Sequence, residues 1–323
     1  NIMELADALL QGQIDAAIMK TSSIEMIDEM GDFTGFASDV KLIYSGEFTI
    51  KVATTEENVI DNYLSSDDVI NVYISGIDSR GGINEVSRSD VNIIMSVNKK
   101  THNILMINTP RDYYVPLSIS NGVRDKLTHA GVYGIECSRN TLEMLYGIQI
   151  DYYVKVNFSG FEKIIDSLGG VDVTLDYSAT LSQAGNLTVH NGVNHFNGEQ
   201  ALAFARERYA YSDGDRQRGR NQMMIMEAAI KKACSPAIIS NYTSVLSEVS
   251  KNVITDMSYD FIADLAQTQL NDMAAWNITQ ISVTGVGSYS STTYSMPGWS
   301  LYVMVPDEES VENAREQIRD NYN

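Results

Sequence analysis

Three apolar runs of strand length fall close together in this chain: Val69-Ile-Asn-Val-Tyr-Ile-Ser, Val91-Asn-Ile-Ile-Met-Ser-Val and Ile104-Leu-Met-Ile-Asn-Thr. The polar turn Asn98-Lys-Lys-Thr-His-Asn joins the second run to the third, which predicts a β-hairpin, and Pro110 ends its second strand. Further on, strands alternate with helices. Tyr152–Phe158 reads as a strand, Gly160–Leu168 as a helix stopped by Gly169-Gly170, and Val171–Leu175 as a strand, giving a βαβ-like unit. Helices are predicted at Cys137–Tyr146, Glu199–Ala205, Arg220–Ala233, Ile238–Val249, Tyr259–Leu270 and Glu308–Arg319, with late strands at Ile278–Val283 and Leu301–Val305. This order predicts an α/β fold: a mixed central sheet with helices on both faces, an α/β/α sandwich.

Residues 1–65 read as a small first section and 66–323 as the main domain. The first section has a helical opening, a turn-rich middle (Gly31-Asp-Phe-Thr-Gly-Phe), and expected strands at Val40–Tyr44 and Phe48–Ala53. Thr54–Asp68 is a polar, acidic connector. Because the chain begins inside a helical pattern, it reads as trimmed, with any signal peptide or membrane anchor expected upstream. No apolar run approaches the ~20 residues a spanning helix needs. Cys137 and Cys234 permit one disulfide, and two buried thiols are an equal alternative.

The net charge is −19, yet the segment Phe204–Gln222 carries Arg206, Arg208, Arg216, Arg218 and Arg220 against Glu207, Asp213 and Asp215. Such a local reversal of sign points to a focused anionic ligand, since the guanidinium fork matches phosphate oxygens and does not titrate away. Global acidity and the lack of a helix-turn-helix exclude nucleic acid as the main partner and a transcription regulator as the function. Two further loops carry charge in a pattern. Asp78, in G-I-D-S-R at 76–80, follows one strand, and Asp90, in R-S-D at 88–90, precedes the next. Together they suit a hard divalent ion such as Mg²⁺ beside phosphate oxygens. The plainer alternative has Asp78 capping its turn and Asp90 paired with Arg88. Arg111, in T-P-R-D at 109–112, has a surface pair with Asp112 as its plain alternative, and the arginine run itself has a solvated, ion-paired helix face. The histidines (His102, His129, His190 and His195) and the cysteines show no metal-ligand spacing, and no nucleophile elbow, Walker loop or dinucleotide fingerprint occurs.

These segments, with D-Y-Y-V-K-V at 151–156, L-G-G-V-D-V at 168–173, G-E-Q-A-L-A-F-A-R-E-R at 198–208 and D-R-Q-R-G-R-N-Q at 215–222, resemble in order the LytR-CpsA-Psr family, and residues 1–65 resemble the accessory domain of its capsule-associated members. The resemblance covers roughly residues 69–235. It implies a phosphotransferase at the extracytoplasmic face of the bacterial cell membrane, held by an anchor absent from this chain. Such an enzyme moves a glycopolymer, capsular or teichoic-acid-like, from a polyprenyl-pyrophosphate carrier to peptidoglycan, with pyrophosphatase activity in water. The alternative is a non-catalytic polyprenyl-phosphate-binding regulator of capsule assembly. Carried over, the family's site falls on Asp78 and Asp90 for Mg²⁺ and on Arg88, Arg111, Arg206, Arg208, Arg218, Gln222 and Asp215 for the pyrophosphate. Asp90, Arg88 and Arg111 are the catalytic candidates. Arg80 and Arg220 have weaker claims. Met223, Met224, Ile225, Ile164 and Ile165 are candidates for lining a lipid tunnel, with simple core packing as their alternative.

Overall fold

The structure, a computed structural model, describes residues 2–17, 24, 27, 36–41, 63–77, 83, 87–181, 186–211, 214–239 and 242–323. In chain order its strands are β1 (Val69–Ile77), β2 (Ser89–Asn98), β3 (Asn103–Asn108), β4 (Tyr114–Pro116), β5 (Arg124–Lys126), β6 (Tyr152–Asn157) and β7 (Val171–Leu175), followed by β8 (Ala179–Leu181), β9 (Leu187–Val189), β10 (Gly192–Phe196), β11 (Val253–Thr255), β12 (Asn277–Ser282), β13 (Gly285–Ser290) and β14 (Leu301–Pro306). Six of them form one sheet in the order β11-β6-β1-β2-β3-β12. The predicted hairpin is its middle: β1, β2 and β3 pair antiparallel. β6 joins β1, and β12 joins β3, in parallel. The sheet is therefore mixed, as the alternating pattern requires.

Period-two alternation sorts the side chains of this sheet into two cores. Tyr73, Ile94, Leu105 and Ile107 face one side and pack with Leu142 and Tyr146 of helix Ile135–Tyr146 and with Val311, Ala314 and Ile318 of helix Glu308–Asn321. Val72, Ile74, Ile93, Ile104 and Met106 face the other, with Met223, Met226 and Ile230 of helix Asp215–Ala233. Both faces of β1 are thus covered, which is why its sequence is apolar almost without interruption. The fold is the expected α/β/α sandwich.

One expectation fails. β7 does not return to the central sheet to complete a βαβ unit; it pairs antiparallel with β10 in a separate ribbon. The burial pattern gives the reason. β7 alternates buried and exposed positions along its length, so it has one face to bury, whereas an inner strand of this sheet must bury two. Its apolar residues Val171, Val173 and Leu175 join Ile165, Phe196, Phe204 and Ile225 in a third core under the ribbon.

Boundaries move where the local signal is weak. The helix expected from Arg220 begins at Asp215, and Ile238–Val249 is two helices, Pro236–Ile239 and Tyr242–Ser250. β13 is a strand beyond those expected; its Gly- and Ser-rich sequence carries little strand propensity. Near the N-terminus, helices occur at Ile2–Leu10 and Phe36–Asp39. Of the strands expected at Val40–Tyr44 and Phe48–Ala53, Val40 and Lys41 are described and are not in a strand, and the rest lies outside the described residues. Cys137 and Cys234 are not joined in a disulfide. Among the described residues no helix is long and apolar enough to cross a membrane.

Candidate active site

The parallel strands β1 and β6 end side by side, and β2 begins beside them. Open α/β sheets leave a crevice beyond the carboxyl ends of such strands. A cavity of about 360 Å³ lies there, and it gathers charged side chains from segments far apart in sequence. Arg88 and Asp90 come from the entry to β2, Arg111 from the loop after β3, and Arg206 from the last turn of helix Gly198–Arg206. Arg208 follows that helix, and Arg218 and Gln222 come from helix Asp215–Ala233. Five guanidinium groups thus line a space to which the described residues contribute one carboxylate, Asp90.

Local chemistry fixes each of these positions. Asp90 Oδ2 accepts a hydrogen bond from Arg111 Nη1 at 2.6 Å, with both side chains about a fifth exposed. Asp90 Oδ1 accepts from Thr128 Oγ1 at 3.2 Å, and the Thr128 backbone N–H donates to the Arg111 carbonyl at 2.8 Å. Thr128 is buried and so ties the acid and its arginine to one short helix, Leu127–Ala130. Asp90 therefore pairs with Arg111 rather than having Arg88 as its sole partner. Asp112, the neighbour expected for Arg111, lies 3.7 Å from its Nε and is closer to Lys126 Nζ, at 3.1 Å. Gly131, next along from that helix, touches the backbone on either side of Arg88: a Cβ there would sit 2.6 Å from the Ser87 carbonyl oxygen and 2.8 Å from the Ser89 nitrogen. Only glycine permits this approach.

The turn carrying Arg206 and Arg208 is organised by Glu207. Its carboxylate is fully buried, and Oε1 accepts from the backbone N–H groups of Arg208, Tyr209 and Ala210 at 2.9, 2.8 and 3.1 Å. This acid holds the loop in shape rather than serving only to balance the arginines. With Glu207 extended, Arg206 and Arg208 reach the same cavity. The Arg206 guanidinium stacks 4.2 Å from the Phe158 ring centroid, and Arg208 Nη2 donates to the Tyr209 hydroxyl at 2.6 Å. Across the loop, Asn221 Nδ2 donates to the Phe204 carbonyl at 3.0 Å and Gln222 Nε2 to that of Ala205 at 3.4 Å, joining the two helices.

Arg218, Gln222 and Met226 are spaced four apart and form one stripe of helix Asp215–Ala233 facing the cavity. That phase corrects the expected apolar lining. Met223 lies in the core against the sheet, Ile225 and Ile165 are buried under the β7–β10 ribbon, and Met224 packs against that same core. Ile164 is likewise not among the lining residues. The apolar wall comes instead from Ile74, Ile77, Ile93, Phe158, Phe161 and Leu202. Phe158 and Thr128 belong to the site without any signal in the chain: Phe158 reads locally as the last residue of a strand, although it opens helix Phe158–Ser167, and Thr128 falls in no predicted element.

Asp78 and Arg80 lie outside the described residues, and Asp215 is the first residue of its helix. Among the described residues no group of three metal-type ligands occurs. A hard cation still fits the donor chemistry at Asp90. Each of its oxygens accepts one bond in the geometry above and retains further lone-pair capacity, and Mg²⁺ takes one or two carboxylates with phosphate oxygens and water.

A sheet-edge crevice that combines an arginine cluster with an apolar wall defines a protein built to hold an anionic group attached to something greasy. The LytR_cpsA_psr family model matches residues 40–317, and the chain belongs to that family. It is 34% identical over 197 residues to a Bacillus cereus protein named polyisoprenyl-teichoic acid–peptidoglycan teichoic acid transferase TagU, the match covering 59% of this chain and 62% of the relative. The chain thus spans under two thirds of that relative's length. The crystal structure of B. subtilis TagV superposes with a TM-score of 0.66 at 27% identity, covering 80% of this chain and 98% of that one. TagT bound to LI-WTA, a structure of a protein also solved from B. subtilis, gives 0.63 at 26%, covering 79% and 91%.

Proposed function

We propose that this protein transfers a glycopolymer from a polyprenyl-pyrophosphate carrier to peptidoglycan at the extracytoplasmic face of the bacterial membrane. The observation that carries the reading is the convergence of five arginines on a cavity whose other wall is apolar. A diphosphate suits the first and an isoprenoid chain the second. The similarity to a Bacillus cereus teichoic acid transferase and to TagT bound to LI-WTA supports this chemistry and favours a teichoic-acid-type polymer over a capsular one.

In this reading the acceptor hydroxyl attacks the phosphorus that bears the glycan. The new O–P bond forms as the P–O bond to polyprenyl phosphate breaks. The electron pair departs on the polyprenyl phosphate, and the hydroxyl proton passes to Asp90 or to solvent. Such transfers are governed by positioning and by charge stabilisation. Arg88, Arg206, Arg208 and Arg218 hold the phosphates, and Arg111 orients Asp90. Mg²⁺, held by Asp90 and, as the family pattern implies, Asp78, would neutralise phosphate charge. Phe158 holds the Arg206 guanidinium against its ring face, and the apolar wall carries the first isoprene units.

The test is release of polyprenyl phosphate from a glycan-bearing polyprenyl pyrophosphate, with and without Mg²⁺, by this chain and by Arg206→Ala. Cleavage that needs the metal and is lost in the variant supports the transferase. Tight binding without cleavage, with acceptor present, would favour the lipid-phosphate-binding regulator. No binding at all would exclude both.

A further inference from the structure

A second cavity, of about 280 Å³, lies beyond the carboxyl ends of β3 and β12, the other parallel pair of the sheet. β2 runs between the two pairs, and Asp90 at its start borders both cavities, together with Arg111, Arg218 and Gln222. Where the first cavity has Phe158, Phe161 and Leu202, the second sets the amides of Asn108 and Gln280 and the hydroxyls of Ser282 and Thr284 beside Pro110, Met223, Val283 and Met304. Ser282 Oγ is buried with no hydrogen-bond partner among the described residues, an unmet bond that a ligand hydroxyl reaching it would satisfy. Gly219 lets helix Asp215–Ala233 lie against Asn108, since any Cβ there would collide with the Asn108 amide.

The β13–β14 hairpin beside the cavity carries an exposed aromatic surface. β13 starts directly after Thr284, and Arg216 Nη2 donates to the Gly285 carbonyl at 3.3 Å, fixing the β13–β14 hairpin to the helix. On that hairpin Tyr289 and Tyr302 stand 72% and 42% exposed, edge to face with centroids 5.9 Å apart. Apolar side chains interleaved with amides and hydroxyls, beside open aromatic faces, suit a saccharide ring, which has an apolar C–H face and a rim of hydroxyls.

We infer that the second cavity is the acceptor subsite and binds a saccharide of the peptidoglycan strand, with Tyr289 contacting an adjoining sugar. The inference rests on the transferase reading above and follows from its stereochemistry. Attacking and leaving oxygens lie roughly in line in phosphoryl transfer. If the leaving polyprenyl phosphate lies in the apolar cavity, the attacking hydroxyl must arrive from the opposite side of Asp90 and Arg111, where this cavity lies.

Methionine methyl groups report on each side separately: Met226 lines the first cavity, and Met223 and Met304 line the second. In ¹³C-methyl-methionine spectra of the whole chain, a soluble peptidoglycan oligosaccharide should move Met223 or Met304 and leave Met226, whereas polyprenyl phosphate should move Met226. If the oligosaccharide perturbs neither Met223 nor Met304, with and without polyprenyl phosphate, the acceptor subsite is overturned. If polyprenyl phosphate leaves Met226 unmoved, it is the transferase reading that fails. In transfer assays, Ser282→Leu and the exposed Tyr289→Ala should each raise KM for the oligosaccharide about tenfold and change KM for the lipid donor far less. A donor KM that rises in step would instead assign the cavity to the donor's glycan and overturn the proposal, as would no change in either.

Discussion

Two polar clusters sit close together in this molecule and settle their charge in opposite ways. Around Asp125 the chain closes on itself. The carboxylate is fully buried, its Oδ1 lies 2.8 Å from His129 Nδ1 and accepts from the Lys126 N–H, and its Oδ2 accepts from the Ser295 N–H at 2.7 Å. Ser295 Oγ completes the group at 2.9 Å from the same imidazole nitrogen. Burial alone would raise the Asp125 carboxyl, but the hydrogen bond and charge of His129 and the bonds from Ser295 bring it below the ordinary carboxylate value. Around Asp90, by contrast, five arginines converge on a cavity with one described carboxylate. The first arrangement is complete without a ligand, and the second has an excess of positive charge that a diphosphate would balance. A Ser-His-Asp grouping therefore marks structure here, while the lopsided cluster marks chemistry. The serine and the aspartate both address Nδ1, which leaves no relay through the ring.

The contrast can be broken experimentally, starting with the closed cluster. Asp125→Ala should cost roughly 3–5 kcal/mol of stability, read as a denaturant midpoint, since it strips a buried network of its acceptor. A loss below about 1 kcal/mol would mean the cluster is no more than a surface pair. pH sharpens the same point. Because the folded-state value of Asp125 is lowered, its stabilisation is fully present above the unfolded value near pH ~4 and is lost as pH falls through the folded value. Asp125→Asn should accordingly flatten the acid limb of the stability profile, and an unchanged limb would refute the assignment.

At the open cluster the effects should appear in function. Arg206→Ala should weaken polyprenyl-pyrophosphate binding about 10–100-fold, the scale of one charge-assisted contact, with little change in thermal midpoint. A variant that binds normally would break the comparison. Thr128→Val keeps shape and removes the hydroxyl on Asp90 Oδ1; we expect kcat to fall about tenfold, with KM for the lipid nearly unchanged. The smallest effect is expected at Arg319, an exposed residue paired with Glu312 across helix Glu308–Asn321. Arg319→Ala should leave both the denaturant midpoint and the activity unchanged, because an exposed pair is screened by solvent.

How much of this can be read from the chain depends on whether the signal is local. The β2–β3 hairpin and β1 are legible because apolar runs and a polar turn lie within a few residues of one another. The arginines are legible as a concentration of charge in an acidic chain. Their convergence is not, since it depends on Arg88 and Arg111 being delivered by a sheet edge and Arg206 by a helix end. The destination of β7 escapes because a strand–helix–strand order looks the same whether the second strand rejoins the sheet or pairs elsewhere; its alternating burial is the available clue. The apolar wall is misassigned through helix phase: Met223 and Met226 are three apart, and only the second shares a stripe with Arg218 and Gln222. Thr128 carries no signal, because its contact with Asp90 spans 38 positions.

The central claim is that the apolar-walled cavity holds a lipid diphosphate, and a crystal structure of this chain grown with a polyprenyl pyrophosphate tests it most directly. The account predicts phosphate density among Arg88, Arg206 and Arg218 with the chain running along Phe158 and Phe161. Phosphates bound elsewhere, or an isoprenoid outside that wall, would contradict it.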